Sequence, residues 1–315
     1  MLNTLKRALA LGCAAALAAT GLALSGPVLT ASAATVSCTS STPVSSRPTL
    51  RLNDTGSCVK LLQQNLANQG WDVNTDGTFT TRTEQAVRRF QSSWLNLTID
   101  GIAGPNTWNM LINGGGTPYS VGKGPNTTSK VVLSFDDCPK SLSAFKTTVN
   151  AAESLGIRLV IFTYGDCVNW KLIDPAYARA HGHYVFNHSN THADLTTLSY
   201  AGVLKELAAP GPQTSYGRPP YGAYNLTVKN AYASKPMRIW TWNIDTEDWT
   251  GKSQSTVVNY VINNAKAGNT VLMHMQYAAF NQSALSAIKT GLAKKGLSIC
   301  RNNGAVGVSP SKVDC

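Results

Sequence analysis

The sequence predicts an α/β protein in which a small helical module precedes a larger segment of alternating strands and helices. Between Leu50 and Asn113, apolar residues recur at three- and four-residue spacing, the helical period. From Lys130 to Cys315, short apolar runs alternate with helical stretches, which implies a parallel sheet, open or closed into a barrel. Between the two, Gly114-Gly115-Gly116 opens a polar stretch rich in Gly, Ser and Thr that reaches Ser129 and reads as a flexible linker.

The 315 residues leave room for two domains, at roughly 150 residues each. Charged residues are 14% of the chain and apolar ones 43%, which excludes global disorder and a coiled coil. The 26 glycines lack a three-residue period, which excludes collagen.

The first 33 residues read as a secretory signal peptide. Lys6 and Arg7 form a basic start, an Ala/Leu-rich run follows from Ala8 to Leu24, and Ala31-Ser32-Ala33 fits a cleavage site. Cys13 stands too close to Arg7 for a lipoprotein box, and no later run reaches the length of a membrane span. The expectation is a secreted, cell-wall-associated monomer with no membrane span after cleavage.

Without Lys6 and Arg7 the chain keeps 25 basic against 16 acidic residues, a net charge of +9. A basic exported protein is drawn to polyanions such as wall polymers. No nucleic-acid motif or dense Lys/Arg cluster is present, so nucleic acid is not expected as a partner. Apart from Cys13, six cysteines remain, which allow 15 pairings. Sequence order suggests Cys38–Cys58, Cys138–Cys167 and Cys300–Cys315. A structural zinc site competes, but no pair has C-x-x-C spacing.

Within the first segment, Val59, Leu62 and Leu66 mark one helix. Thr81-x-x-Glu84 reads as a capping box before Ala86, Val87 and Phe90. Gly104-Pro105 opens a third helix carrying Trp108 and Leu111. A repeat is visible: Asp76-Gly77 precedes Thr83 by the same spacing as Asp100-Gly101 precedes Thr107. In the second segment the expected strands are Val131–Phe135, Leu159–Phe162, Tyr184–Phe186, Ile239–Ile244 and Val271–Met273. Helices are expected over Ser141–Leu155, Thr256–Ala267 and Ser283–Lys295.

Ionisable residues gather where four of these strands end. Phe135 leads to Asp136-Asp137, Phe186 to His188 and His192, Ile244 to Asp245, Glu247 and Asp248, and Met273 to His274. In parallel α/β barrels the chemistry sits at strand C-termini. His188 and His192, four apart, point the same way if they lie on a helical turn, and Asp136 or Asp137 is the natural third metal ligand. The other carboxylate is then free to act as a base on water, whose pKa a metal lowers toward about 7. Arg218 lies in a loop stiffened by Pro219 and Pro220 and is suited to hold a carboxylate.

Two resemblances follow from these residues. The stretch V-x-x-L-x-x-x-L, G-W, D-G-x-F, T-x-x-A-V-x-x-F-Q and D-G-x-x-G-P-x-T-W resembles the peptidoglycan-binding type 1 domain, a three-helix module. S-F-D-D at Ser134–Asp137, H-S-N-T-H at His188–His192, R-P-P-Y-G at Arg218–Gly222, D-T-E-D-W at Asp245–Trp249 and L-M-H at Leu272–His274 resemble, in order, the five motifs of the NodB-type polysaccharide deacetylases, carbohydrate esterase family 4.

The second resemblance implies a distorted (β/α) barrel. It implies Asp136 as catalytic base and Asp137, His188 and His192 as ligands of one divalent metal, zinc or else cobalt, manganese or nickel. It further implies Arg218 orienting Asp136, and His274 as general acid tuned by Asp248. The backbone N–H of Tyr221 would serve the oxyanion, and Trp249 and Leu272 would shape the acetyl pocket. The expected organisation is a signal peptide at 1–33, a peptidoglycan-binding-like domain at 38–113, a linker at 114–129 and a deacetylase domain at 130–315. The expected activity is N-deacetylation of an N-acetylated glycan, cell-wall peptidoglycan foremost. O-acetyl ester cleavage, chitin or xylan deacetylation, and a non-catalytic wall-binding protein are the alternatives. The chain departs from the family pattern at Cys138, where Gly is usual, and at Met275, where a polar residue is common.

Overall fold

The computed structural model describes residues 37–310 and 313–315. The signal-peptide reading and Cys13 lie outside the described residues. The helical module is built from α1 (Ser57–Asn68), α2 (Thr81–Ser92) and α3 (Pro105–Asn113). Val59, Leu62, Leu66, Phe79, Ala86, Val87, Phe90, Trp108 and Leu111 form its core. Cys38–Cys58 staples the leading segment to α1. In so small a core such a bridge matters, since little apolar area is available to offset chain entropy.

The internal repeat has a physical basis that the sequence reading missed. Gln63 on α1 is fully buried; its Nε2 donates to Asp76 Oδ1, Thr78 O and Thr83 Oγ1, and its Oε1 accepts from Gly77 N at 2.7 Å. Gln91 on α2 repeats the pattern on Asp100, Ile102, Thr107 and Gly101. Each Asp-Gly turn is therefore clamped by a buried amide of the helix before it. The expected capping box does not form. Thr80, not Thr81, occupies the cap position without a side-chain bond, and Glu84 instead pairs with Arg88 one turn on, at 2.9 Å.

The second segment contains β1 (Val132–Asp136), α4 (Leu142–Ser154), β2 (Leu159–Thr163), α5 (Gly165–Asn169), α6 (Pro175–Ala180), β3 (Tyr184–Asn187), α7 (Tyr200–Glu206), β4 (Gln213–Gly217), α8 (Leu226–Ser234), β5 (Arg238–Ile239), β6 (Ile244–Asp245), α9 (Gln254–Asn264), β7 (Thr270–His274) and α10 (Gln282–Lys294). The strands form one parallel sheet in the order β5-β4-β3-β2-β1-β7-β6. The expected strand Ile239–Ile244 is in fact split. Its first end pairs with β4 and its second with β7, so one run of chain carries both edges of the sheet. This run joins the two edges of the distorted barrel, which do not pair with each other among the described residues.

Strands β1, β2 and β3, and β7 up to His274, are buried on both faces, which is why they read as continuous apolar runs. Val131, Leu133 and Phe135 pack outward with Phe145 and Val149 of α4 and Leu285 and Ile288 of α10. Val132 faces the interior with Val160, Phe162, Phe186, Tyr216 and Trp240. The same period of two places Ser134 and Asp136 on the interior face. Strand β4, Gln-Thr-Ser-Tyr-Gly, was not legible because it has no apolar run.

Residues 114–129 do not behave as a free tether. Tyr119 N donates to Ser93 O and Tyr119 Oη to Ile239 O, while Val121 O accepts from Thr241 N. Gly124, at φ 60°, lies so close to Trp240 that a Cβ there would sit 2.2 Å from the indole. Gly116, Gly122 and Gly124 serve close approach, whereas Gly114 and Gly115 have open space around them. Arg238 donates to the carbonyls of Ser92, Trp94 and Leu97, capping the C-terminal end of α2 from the barrel side.

Candidate active site

Asp136 ends β1 and pairs in register with His274, which ends β7, so adjacent parallel strands deliver both side chains to one end of the barrel. Asp136 is buried. Arg218 Nη1 donates to its Oδ1 at 2.6 Å and to Ser134 Oγ at 3.0 Å, while Arg218 Nε and Nη2 donate to the carbonyls of Trp240 and Thr241. The guanidinium lies 4.0 Å over the Phe162 ring, so it is held on its faces as well as its edges.

Asp137 follows with φ 73°, in the left-handed region, its N–H donating to Phe162 O. The unusual backbone therefore falls on Asp137 itself rather than on Cys138, and Cys138 is bridged to Cys167 in α5. Turning Asp137 out of the strand's alternation lets the two neighbouring carboxylates serve different partners. His188 and His192 converge on it, though not through the expected helical turn. Positive φ at Ser189 (70°) and His192 (63°) folds the loop back until the two imidazole rings are 5.0 Å apart.

His188 Nδ1 lies 2.7 Å from Arg218 O. A carbonyl only accepts, so Nδ1 carries the proton and Nε2 presents a lone pair. That lone pair faces Asp137 Oδ1 at 3.5 Å, and His192 Nε2 lies 3.2 Å from the same oxygen. Asp137 Oδ1 is buried and has no hydrogen-bond partner. Acceptor atoms converging on an orphaned carboxylate oxygen fit a cation, and one ligand atom from each of Asp137, His188 and His192 lies within 4.8 Å of the others.

Gln276 is a residue the sequence reading missed. Its Nε2 donates to Asp137 Oδ2 at 2.7 Å, which leaves Oδ1 as the free oxygen. The only signal was the absence of a polar side chain at Met275; the polar group sits one residue later, while Met275 is buried and its N–H donates to Asp136 O.

His274 Nδ1 lies 2.7 Å from Asp248 Oδ1, and Asp248 Oδ2 accepts from the His274 backbone N–H at 2.8 Å. Burial pushes His274 down, but the Asp248 hydrogen bond and the charges of Asp136, Asp248 and Asp137 raise it above the usual imidazole range. A cavity of about 420 Å³ brings together Asp136, Asp137, His188, His192, Tyr221, Trp249, Leu272 and His274. Gln276, Trp242 and Asp245 line it too. Arg218 and Asp248, both fully buried, stand behind the residues they hold.

Fold and site thus define a parallel (β/α) barrel whose ionisable groups meet at the strand C-termini. Residues 55–111 match the family model of a putative peptidoglycan binding domain, and residues 123–240 that of polysaccharide deacetylase. The chain thus carries a polysaccharide deacetylase domain of carbohydrate esterase family 4 behind a module that matches a putative peptidoglycan binding domain.

It is 33% identical over 185 residues to a bifunctional xylanase/xylan deacetylase of Cellvibrio japonicus, covering 55% of this chain and 27% of that one. It is 32% identical over 159 residues to the peptidoglycan-N-acetylglucosamine deacetylase PgdA of Listeria monocytogenes, covering 47% and 33%. The chain therefore spans a third or less of these relatives' length. A solved peptidoglycan N-acetylglucosamine deacetylase shares the fold at TM-score 0.50 and 23% identity, covering 56% of this chain and 86% of that one. An active-restored mutant of a pseudoenzyme of the same esterase family shares it at TM-score 0.50 and 22% identity, covering 55% and 66%. Fold likeness alone therefore does not decide activity.

Proposed function

We propose that this chain is an exported, metal-dependent N-deacetylase of a cell-wall glycan, peptidoglycan foremost. The reading is carried by one observation: an Asp-His-His cluster, a second carboxylate and a carboxylate-backed imidazole share one cavity. Asp137, His188 and His192 would hold a divalent ion, zinc or else cobalt, manganese or nickel, which when bound supplies Lewis-acid polarisation of the acetyl carbonyl and a more acidic water. Asp136, oriented by Arg218, accepts the proton of the attacking water. Asp248 only accepts at His274 Nδ1, so the transferable proton of His274 is the one on Nε2, which goes to the leaving amine as acetate departs. The Tyr221 N–H donates to the carbonyl oxygen as it gains charge. Trp249 and Leu272 enclose the acetyl group and exclude water.

The module at the N-terminal side supports wall polymer as substrate. The likeness to a xylan deacetylase supports a second reading, cleavage of O-acetyl esters by the same residues. Acetate release from peptidoglycan, chitin oligomers and acetyl-xylan separates the two. The expected result is chelator-sensitive acetate release, fastest from peptidoglycan and lost in Asp136→Asn. Acetate from none of the three overturns the enzyme reading.

A further inference from the structure

Among the described residues, Trp170 and Trp249 are the tryptophans that expose more than half their surface, at 60% and 53%. Trp249 lines the cavity; Trp170 does not. A row of rings nevertheless links Trp170 to it. Its indole meets Tyr164 edge-on at 6.3 Å, Tyr164 lies 5.4 Å from His192, and His192 lies 4.9 Å from the exposed ring of Tyr221.

The backbone under Trp170 is held from several sides. Trp170 N–H closes α5 on Asp166 O at 2.8 Å. Gly165 and Asp166 donate to Ser189 O and Asn190 O in the His188–His192 loop. Cys167 of the same turn is bridged to Cys138, next to Asp137. The platform is thus fixed relative to Asp137, His188 and His192 together.

The position of Trp170 around the barrel mouth is equally informative. It follows β2, whereas Trp249 follows β6. Strands β1 and β7 separate them on one side, and β3, β4 and β5 on the other. Strand β2, which leads to Trp170, lies between β1 and β3, whose ends carry Asp137, His188 and His192, while Trp249 follows the edge strand β6. A flat, rigid, solvent-facing indole is a platform for the apolar C–H face of a pyranose ring, because it offers large contact area with little rotamer entropy to lose.

We propose that Trp170 forms a distal sugar-stacking subsite, so that a linear pyranose chain crosses the mouth with its acetylated unit in the cavity and a more distant unit on Trp170. The proposal rests on the polysaccharide deacetylase reading and deepens it. It makes the enzyme prefer chains long enough to reach from the cavity to Trp170.

The test uses the full chain with Trp170→Ala, Trp170→Leu and Trp170→Tyr. The substrates are N-acetylglucosamine oligomers from dimer to hexamer and the small ester 4-nitrophenyl acetate. Trp170→Ala and Trp170→Leu are expected to raise KM for the hexamer about 3- to 10-fold. In these variants kcat and turnover of the small ester stay unchanged, and Trp170→Tyr restores most of the loss. Equal losses on the small ester, dimer and hexamer, or no loss on the hexamer, overturn the proposal. Hexamer titration of Asp136→Asn, read by tryptophan fluorescence, keeps the two readings apart. A fluorescence change absent from the Asp136→Asn/Trp170→Leu double variant supports the subsite even where no acetate is released; no difference between the two variants refutes it even if the enzyme is active.

Discussion

Replacing Arg218 by Met is expected to unfold the barrel at a markedly lower temperature, by a mechanism that a double variant isolates. Arg218 is fully buried and Asp136 is 2% exposed, so neither charge finds water when its partner is lost. Removing the guanidinium leaves the Asp136 carboxylate without its 2.6 Å ion pair and leaves Ser134 Oγ, Trp240 O and Thr241 O each short of a donor. Breaking a buried pair from one side typically costs about 3–5 kcal/mol. For a domain of this size that corresponds to a drop in Tm of roughly 6–20 °C. Asp136→Asn alone leaves Arg218 its three other hydrogen bonds and is expected to cost less, about 1–3 kcal/mol. In Arg218→Met/Asp136→Asn no charge remains stranded. That variant is expected to be more stable than Arg218→Met by at least about 1 kcal/mol, the coupling of residues in one network. Thermal unfolding followed by circular dichroism, in chelator so that no metal contributes, reads all four proteins. If the two single losses simply add in the double variant, the buried-pair account is wrong.

Two further predictions address the chemistry. Asp137→Asn is expected to lose bound zinc and Gln276→Met to bind it about 10- to 100-fold more weakly, whereas Asp136→Asn keeps the metal and loses at least about 10²-fold in rate; the reverse pattern in elemental analysis and zinc titration refutes the assignment of the two neighbouring carboxylates. Because His274 titrates above the usual imidazole range, its acid form persists to higher pH, and activity is expected to fall on the alkaline side as pH rises through that raised value. Asp248→Asn removes the hydrogen bond and charge that raise it, so the fall must move to lower pH; an unmoved alkaline limb excludes His274 as the acid.

What the sequence determined by itself is local in origin. Buried strands announce themselves as apolar runs, as at Val131–Phe135 and Leu159–Phe162, because burial on both faces demands apolar side chains at consecutive positions. The polar residues that follow those runs stand out against them, so Asp136, Asp137, His188, His192, Asp248 and His274 were visible as a set, and the parallel sheet placed them at one end. Tertiary structure decided what local pattern cannot carry. Strand β4 is polar and holds its place by pairing with β3 and β5. Residues 238–245 divide between two strand partners because the open edges of β4 and β7, not propensity, assign their hydrogen bonds. The stretch from Gly114 to Ser129 has a linker's composition, yet Gly124 lies where Trp240 leaves no room for a Cβ. Convergence of His188 and His192 depends on left-handed backbone at Ser189 and His192, and Gln276 reaches Asp137 from a neighbouring strand end. Each of these depends on groups far apart in the chain being brought within bonding distance, and such distances exist only once the chain has folded around the sheet.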